Sequence, residues 1–155
     1  MKADHLNAII QGTQSIILRV CGETVTLGKL FAKSHPFSMK EVSVSIELIG
    51  ELHGYVVYTM DMSAAFYLAS RLLPGMSLST FDEMAQSAIC ELSNMISGAA
   101  ATNIYQLKTV IDISTPTYYY KATSKELTFF QGVRVVCMPL MLRDGSEFEI
   151  DVFIE

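Results

Sequence analysis

The chain is predicted to fold as an α+β domain of two pseudo-twofold-related halves, each a helix followed by three strands, sharing an antiparallel sheet with helices packed on one side. Three observations lead there. The stretches V-S-V-S-I-E-L-I (Val42 to Ile49) and F-E-I-D-V-F-I (Phe148 to Ile154) alternate apolar and polar residues with the period of a strand. Two long segments, Asp4 to Val20 and Ser79 to Gln106, carry apolar residues at steps of three and four, the spacing of one helix face. Helix-then-strands occurs twice, with a further helix, Asp61 to Leu73, between the two runs. At 155 residues the chain is expected to form one domain, 1–155, large enough to bury a substantial core.

Taken in order, the first helix presents Leu6, Ile9, Ile10, Ile17 and Val20 as a stripe and is closed by Gly22. Glu23 to Ala32 contains a short strand, and Ser34 to Phe37 is a break around Pro36. Val42 to Ile49 should have one face in water. The turn G-E-L-H-G returns the chain into Gly54 to Met60, making a hairpin that holds His53 as a turn residue. Asp61 or Ser63 caps the second helix, which Pro74 and Gly75 end. In the second half Thr109 to Tyr120 reads as strand, with the rings of Tyr118 to Tyr120 alternating between faces. Leu127 to Leu142 reads as a long extended stretch bending at Pro139, and Asp144-Gly145 is the turn into the last strand.

Composition excludes several classes. Hydrophobic residues make up 50% and mean hydropathy is +0.34, yet the longest apolar run, Val135 to Leu142, is eight residues and contains Pro139. A membrane helix needs about 20, so no membrane insertion is expected. The three cysteines, Cys21, Cys90 and Cys137, are widely separated among apolar neighbours, which fits reduced thiols and a cytoplasmic location. A net charge of −5 without a basic run argues against nucleic acid. The three histidines show no metal-ligand spacing, and neither a nucleophile elbow nor a phosphate-binding glycine loop is present.

The chemistry-bearing stretch is the helix from Ser79 to Gln106. Ser79 and Thr80 are its expected N-caps, with Asp82 and Glu83 in the first turn. Phe81, Met84, Ala85, Ala88, Ile89, Leu92, Ile96 and Ala99 form the face expected to be buried. Glu83, Ser87, Glu91, Asn94, Ser97 and Gly98 form the opposite one, so that Glu91 and Asn94 point the same way. Gly98 costs roughly 1 kcal/mol in a helix interior and therefore asks for close packing or a bend. Glu-x-x-Asn alone is common on solvated helix faces and carries little weight.

With Ser87, Glu91 and Asn94 in S-A-I-C-E-L-S-N, the small-residue continuation M-I-S-G-A-A-A-T-N-I, and Pro116 downstream, the chain resembles the CheC/CheX/FliY group of chemotaxis phosphatases, and within it the short CheX-like members. The resemblance covers the order of elements along the whole chain, and only this motif is specific. It implies a hydrolase acting on the phosphoaspartate of a CheY-like response regulator. Asn94 would position the attacking water, Glu91 would pair with the regulator's phosphate-binding lysine, and Ser87 and Gly98 would shape the contact. It implies no cofactor of the chain's own, since Mg²⁺ arrives with the regulator, and it implies a homodimer. Members with two motifs carry a second pair on the first helix. Here only Asp4 and Asn7 stand there, the carboxylate one methylene shorter, so one site per subunit is expected. The competing readings are a dimeric scaffold that binds a response regulator without catalysis, and an unrelated α+β ligand-binding domain with a closed apolar pocket.

Overall fold

The structure is a computed structural model and describes residues 2–75, 79–123 and 125–155. Helix α1 spans Ala3–Cys21 and stops where Gly22 takes a left-handed conformation, φ 65°, its N–H donating to the Leu18 carbonyl at 3.1 Å. Helix α2 is Met62–Leu72 with Asp61 at its N-cap position, and α3 is Glu83–Gln106. The cap of α3 is Asp82, whose side chain accepts from the Ala85 N–H at 3.0 Å. Ser79 and Thr80 therefore lie before the helix and do not cap it. A carboxylate at this position satisfies an orphan N–H and also meets the positive end of the helix dipole.

Among the described residues eight strands form one antiparallel sheet: β1 (Thr26–Leu27), β2 (Phe31–Ser34), β3 (Val42–Gly50), β4 (Gly54–Met60), β5 (Ile111–Ile113), β6 (Thr117–Tyr120), β7 (Arg134–Met141) and β8 (Glu147–Ile154). Hairpins β3–β4 and β7–β8 meet along the β4–β8 pair, in a register that sets Val56 opposite Val152 and Val57 opposite Asp151. The remaining strands are exchanged between the halves. From the first half, β1 and β2 pair with β7 of the second; from the second, β5 and β6 pair with β3 of the first.

The helices cover one sheet face. There Ile9, Ile17, Leu68, Ile89, Leu92 and Ile96 meet Val44, Ile46, Tyr58, Met138 and Ile150 in one core. Gly12 lies at the α1–α3 crossing, so close that an added Cβ would stand 2.9 Å from the Ala100 nitrogen. Asn103 Nδ2 donates to the Ala8 carbonyl at 3.1 Å across the same contact.

The opposite face departs from expectation. Alternation in β3 predicts a side in water, but Ser43 and Ser45 are 0% and 6% exposed. Ser43 Oγ lies 2.9 Å from Thr59 Oγ1, so hydroxyls bury as a satisfied pair. A second cluster roofs part of this face, with Leu127, Phe129 and Phe130 gathered on Val57, Val135 and Cys137. Phe129 stacks on Tyr55 with ring centroids 3.9 Å apart. The expected long strand from Leu127 is thus strand only from Arg134, and Thr128–Phe130 forms a 3₁₀ turn. Likewise Thr109 to Tyr120 is two strands, β5 and β6, separated by residues 114–116. His53 does lie in the β3–β4 turn, between Glu47 and Glu155 at 3.1 Å each.

Candidate functional site

The site is a stripe on the outer side of α3, and what holds α3 decides which residues it presents. Ala85, Ile89, Leu92, Ile96, Ala100 and Ile104 are buried toward the sheet. Ser97, expected on the polar face, is instead 2% exposed, and its Oγ lies 2.7 Å from Tyr58 Oη beneath the helix. Met84, expected inside, is 48% exposed. Burial pushes the Tyr58 phenol far above its ordinary value, so this pair is a neutral hydrogen bond fixing α3 to β4. Ser93 bonds back to the Ile89 carbonyl at 2.9 Å and takes no part in the outer surface.

That seating turns Ser87 and Glu91 outward as exposed residues, with Asn94 and Gly98 half-buried along the same line. None of the Ser87, Glu91 and Asn94 side chains is engaged with another described residue. Polar groups held on a rigid helix with no internal partner are free to meet an external one. Ser87, Glu91 and Pro116 wall one open groove of about 430 Å³, together with Cys90 and Tyr118. Asn94 stands one turn beyond this wall. The sequence thus placed Ser87, Glu91, Asn94 and Gly98 on one surface, and the structure brings Pro116, read only as downstream, beside it. It missed Tyr118 and Cys90, the first read as strand packing and the second as a core thiol. The signal for Tyr118 was its place just after Pro116, at the start of a strand that runs beneath the helix edge. Burial raises the Cys90 thiol above its ordinary value, which makes it a wall and not a nucleophile.

Gly98 does not mediate a close contact within the chain. A Cβ there would meet nothing within 4 Å, and the close approach belongs to Gly12. Asp4 and Asn7 are exposed on α1 and line a separate shallow groove of about 180 Å³ with Gln11 and Asn103. The groove beside Glu91 offers no metal-ligating set; among the described residues the one such cluster is Cys137, Glu149 and Asp151, on the other sheet face.

Comparison with known proteins identifies this arrangement. Residues 42–140, which include all of α3 and the Glu91–Asn94 pair, match the family model described as chemotaxis phosphatase CheX. The chain belongs to the CheX family. It is accordingly a chemotaxis phosphatase, a hydrolase. It is 28% identical over 155 residues to the CheY-P phosphatase CheX of Thermotoga maritima, covering 100% of this chain and 98% of that one. Among solved structures, CheX from Desulfovibrio desulfuricans superposes with a TM-score of 0.85 at 18% identity, covering 97% and 99% of the two chains. The CheX–CheY–BeF₃–Mg²⁺ complex from Borrelia burgdorferi gives a TM-score of 0.82 at 25% identity, covering 99% of each chain. The mixed fold of helices and antiparallel sheet is that of CheC- and CheX-like proteins. Among the described residues no helix is long and apolar enough to cross a membrane.

Proposed function

We propose that this CheX family member hydrolyses the phosphoaspartate of a CheY-like response regulator, with Asn94 positioning the water and Glu91 anchoring the regulator. The observation that carries the reading is the Glu91–Asn94 pair, one turn apart on a rigid helix and free of internal partners beside the Pro116 groove. The Thermotoga relative is a CheY-P phosphatase, and the Borrelia relative was solved with CheY, BeF₃ and Mg²⁺, which supports the same partner and a metal that comes with it.

The chemistry suits so sparse a site. An acyl phosphate is already a high-energy bond, and hydrolysis breaks the link between phosphorus and the aspartyl oxygen as a water oxygen attacks in line. What is needed is a water held in that line. A carboxamide accepts a hydrogen bond from the water through Oδ1, directs a lone pair at phosphorus, and offers Nδ2 as a donor without adding negative charge. Glu91 has the wrong charge to face a phosphoryl dianion directly. It has the right charge to pair with a lysine beside the phosphate on the regulator, in a contact strengthened by exclusion of water. Ser87 and Gly98 lie within the surface that such docking covers.

The test is release of inorganic phosphate from a phosphorylated CheY-like receiver at substoichiometric amounts of this protein. Many turnovers per molecule are expected; stoichiometric binding with decay at the receiver's own rate would reduce the protein to a docking module. Glu91→Ala is expected to lower affinity for a beryllofluoride-activated receiver by roughly tenfold, the worth of a charge-assisted contact of about 1.5 kcal/mol. An unchanged dissociation constant would remove the anchor role.

A further inference from the structure

The sheet face turned away from the helices holds a group of chemistry-bearing side chains that the phosphatase reading does not use. Cys137 and Asp151 sit directly opposite each other on β7 and β8. Glu149, two residues before Asp151, shares their side of the sheet, as does Lys33, which β2 brings over Val135. The three potential donors are 0%, 5% and 0% exposed for Cys137, Glu149 and Asp151, and their Sγ and carboxylate oxygens lie within 4.8 Å of one another. Lys33 Nζ pairs with Glu149 and stands 3.5 Å from Asp151 Oδ2. Both Asp151 oxygens are nevertheless without a hydrogen-bond partner among the described residues.

We infer that Cys137, Glu149 and Asp151 form a binding site for a thiophilic divalent cation of the Zn²⁺ class, with Lys33 beside it as the charge that completes the balance. Charge arithmetic favours the cation. Two carboxylates against one ammonium leave a surplus negative charge in a place with almost no water, which is costly unless neutralised. One proton shared by the carboxyls is the minimal remedy. A divalent cation is the fuller remedy. On binding, the Cys137 thiol proton and the proton shared by the carboxyls both leave to solvent, and three anionic ligands then face the dication and the ammonium, a neutral set. Thiolate and carboxylate oxygens are Zn²⁺ donors at about 2.3 and 2.0–2.2 Å, so donors that now lie within 4.8 Å of one another draw together on binding, and a fourth position remains. Of the three donors, Glu149 also lines an open groove of about 340 Å³ together with Phe31 and Met141.

The experiment uses Co²⁺ as a spectroscopic probe and Zn²⁺ as competitor on the full chain. Wild type is expected to develop a sulfur-to-cobalt charge-transfer band at one ion per chain, bleached by Zn²⁺. The band should be lost in Cys137→Ser and in Asp151→Asn, and retained in Cys90→Ser. Zn²⁺ should also raise the wild-type melting temperature and leave that of Asp151→Asn unmoved, a measurement that holds even if Cys137→Ser fails to fold. No band in folded wild type overturns the inference. So does a band that survives Cys137→Ser, or a Zn²⁺ shift that persists in Asp151→Asn, since either places the ion elsewhere.

Discussion

Asn94→Ala is expected to return the decay of a phosphorylated receiver to its intrinsic rate, a loss of roughly a hundredfold or more in the acceleration this protein supplies, because positioning of the nucleophile is the effect removed. Affinity for the beryllofluoride-activated receiver should stay nearly the same. The variant should also fold as wild type, since Asn94 is half-buried and its side chain makes no hydrogen bond among the described residues. Asn94→Asp sharpens the test. It keeps an acceptor of the same size but loses the amide donor and brings negative charge toward a dianion, so it should be as inactive as alanine. Stopped-flow decay and equilibrium binding of the same variants separate the two roles. A large loss of affinity in Asn94→Ala would make this a docking residue and leave the water unassigned.

Gly12→Val should cost about 3 kcal/mol, at the upper end of overpacking penalties. A Cβ at Gly12 would stand 2.9 Å from the Ala100 nitrogen and 3.3 Å from the Ile96 carbonyl oxygen, both backbone atoms that cannot turn aside. Replacing a helical glycine normally gains a fraction of a kcal/mol through propensity, and here the steric term reverses the sign. For a chain of 155 residues the melting temperature should fall by about 10 °C, read by calorimetry. Gly98→Ala is the internal control. Its Cβ enters open space, so the same chemistry should stabilise by roughly 1 kcal/mol. If Gly98→Ala folds more stably yet binds the receiver less well, the small residue serves the partner's approach and not the helix.

The stripe on α3 was legible because helical phase is simple geometry: residues at steps of three and four from Glu91 share a face wherever the helix starts. Its buried edge was not. Ser97 reads as polar surface until Tyr58, on a strand nearly forty positions away in sequence, supplies the hydroxyl that lets it go inside. Met84 reads as core from its spacing to Ala88, yet it stands on the outer side of the first turn of α3, 48% exposed. The strands show the same division. Both hairpins follow from alternation and turn chemistry, local properties of the chain. The second layer over the sheet does not, because residues 127–133, whose apolar composition resembles strand, gather instead over Val57, Val135 and Cys137. The exchange of outer strands between the halves was likewise invisible, since a short strand carries nothing in its sequence that names its neighbour.

That exchange gives the molecule an order of assembly. The first hairpin has no neighbour on its outer side until residues 111–120 arrive, and none on its inner side until β8, the last of the described strands in chain order, takes its place between β4 and β7. The middle of the sheet therefore closes only after every other described strand has been made. Half a chain offers two bare strand edges, and contacts this distant in sequence form slowly. Deleting residues 147–154 would take out the seam of the sheet, where losing one strand from most sheets removes only a rim.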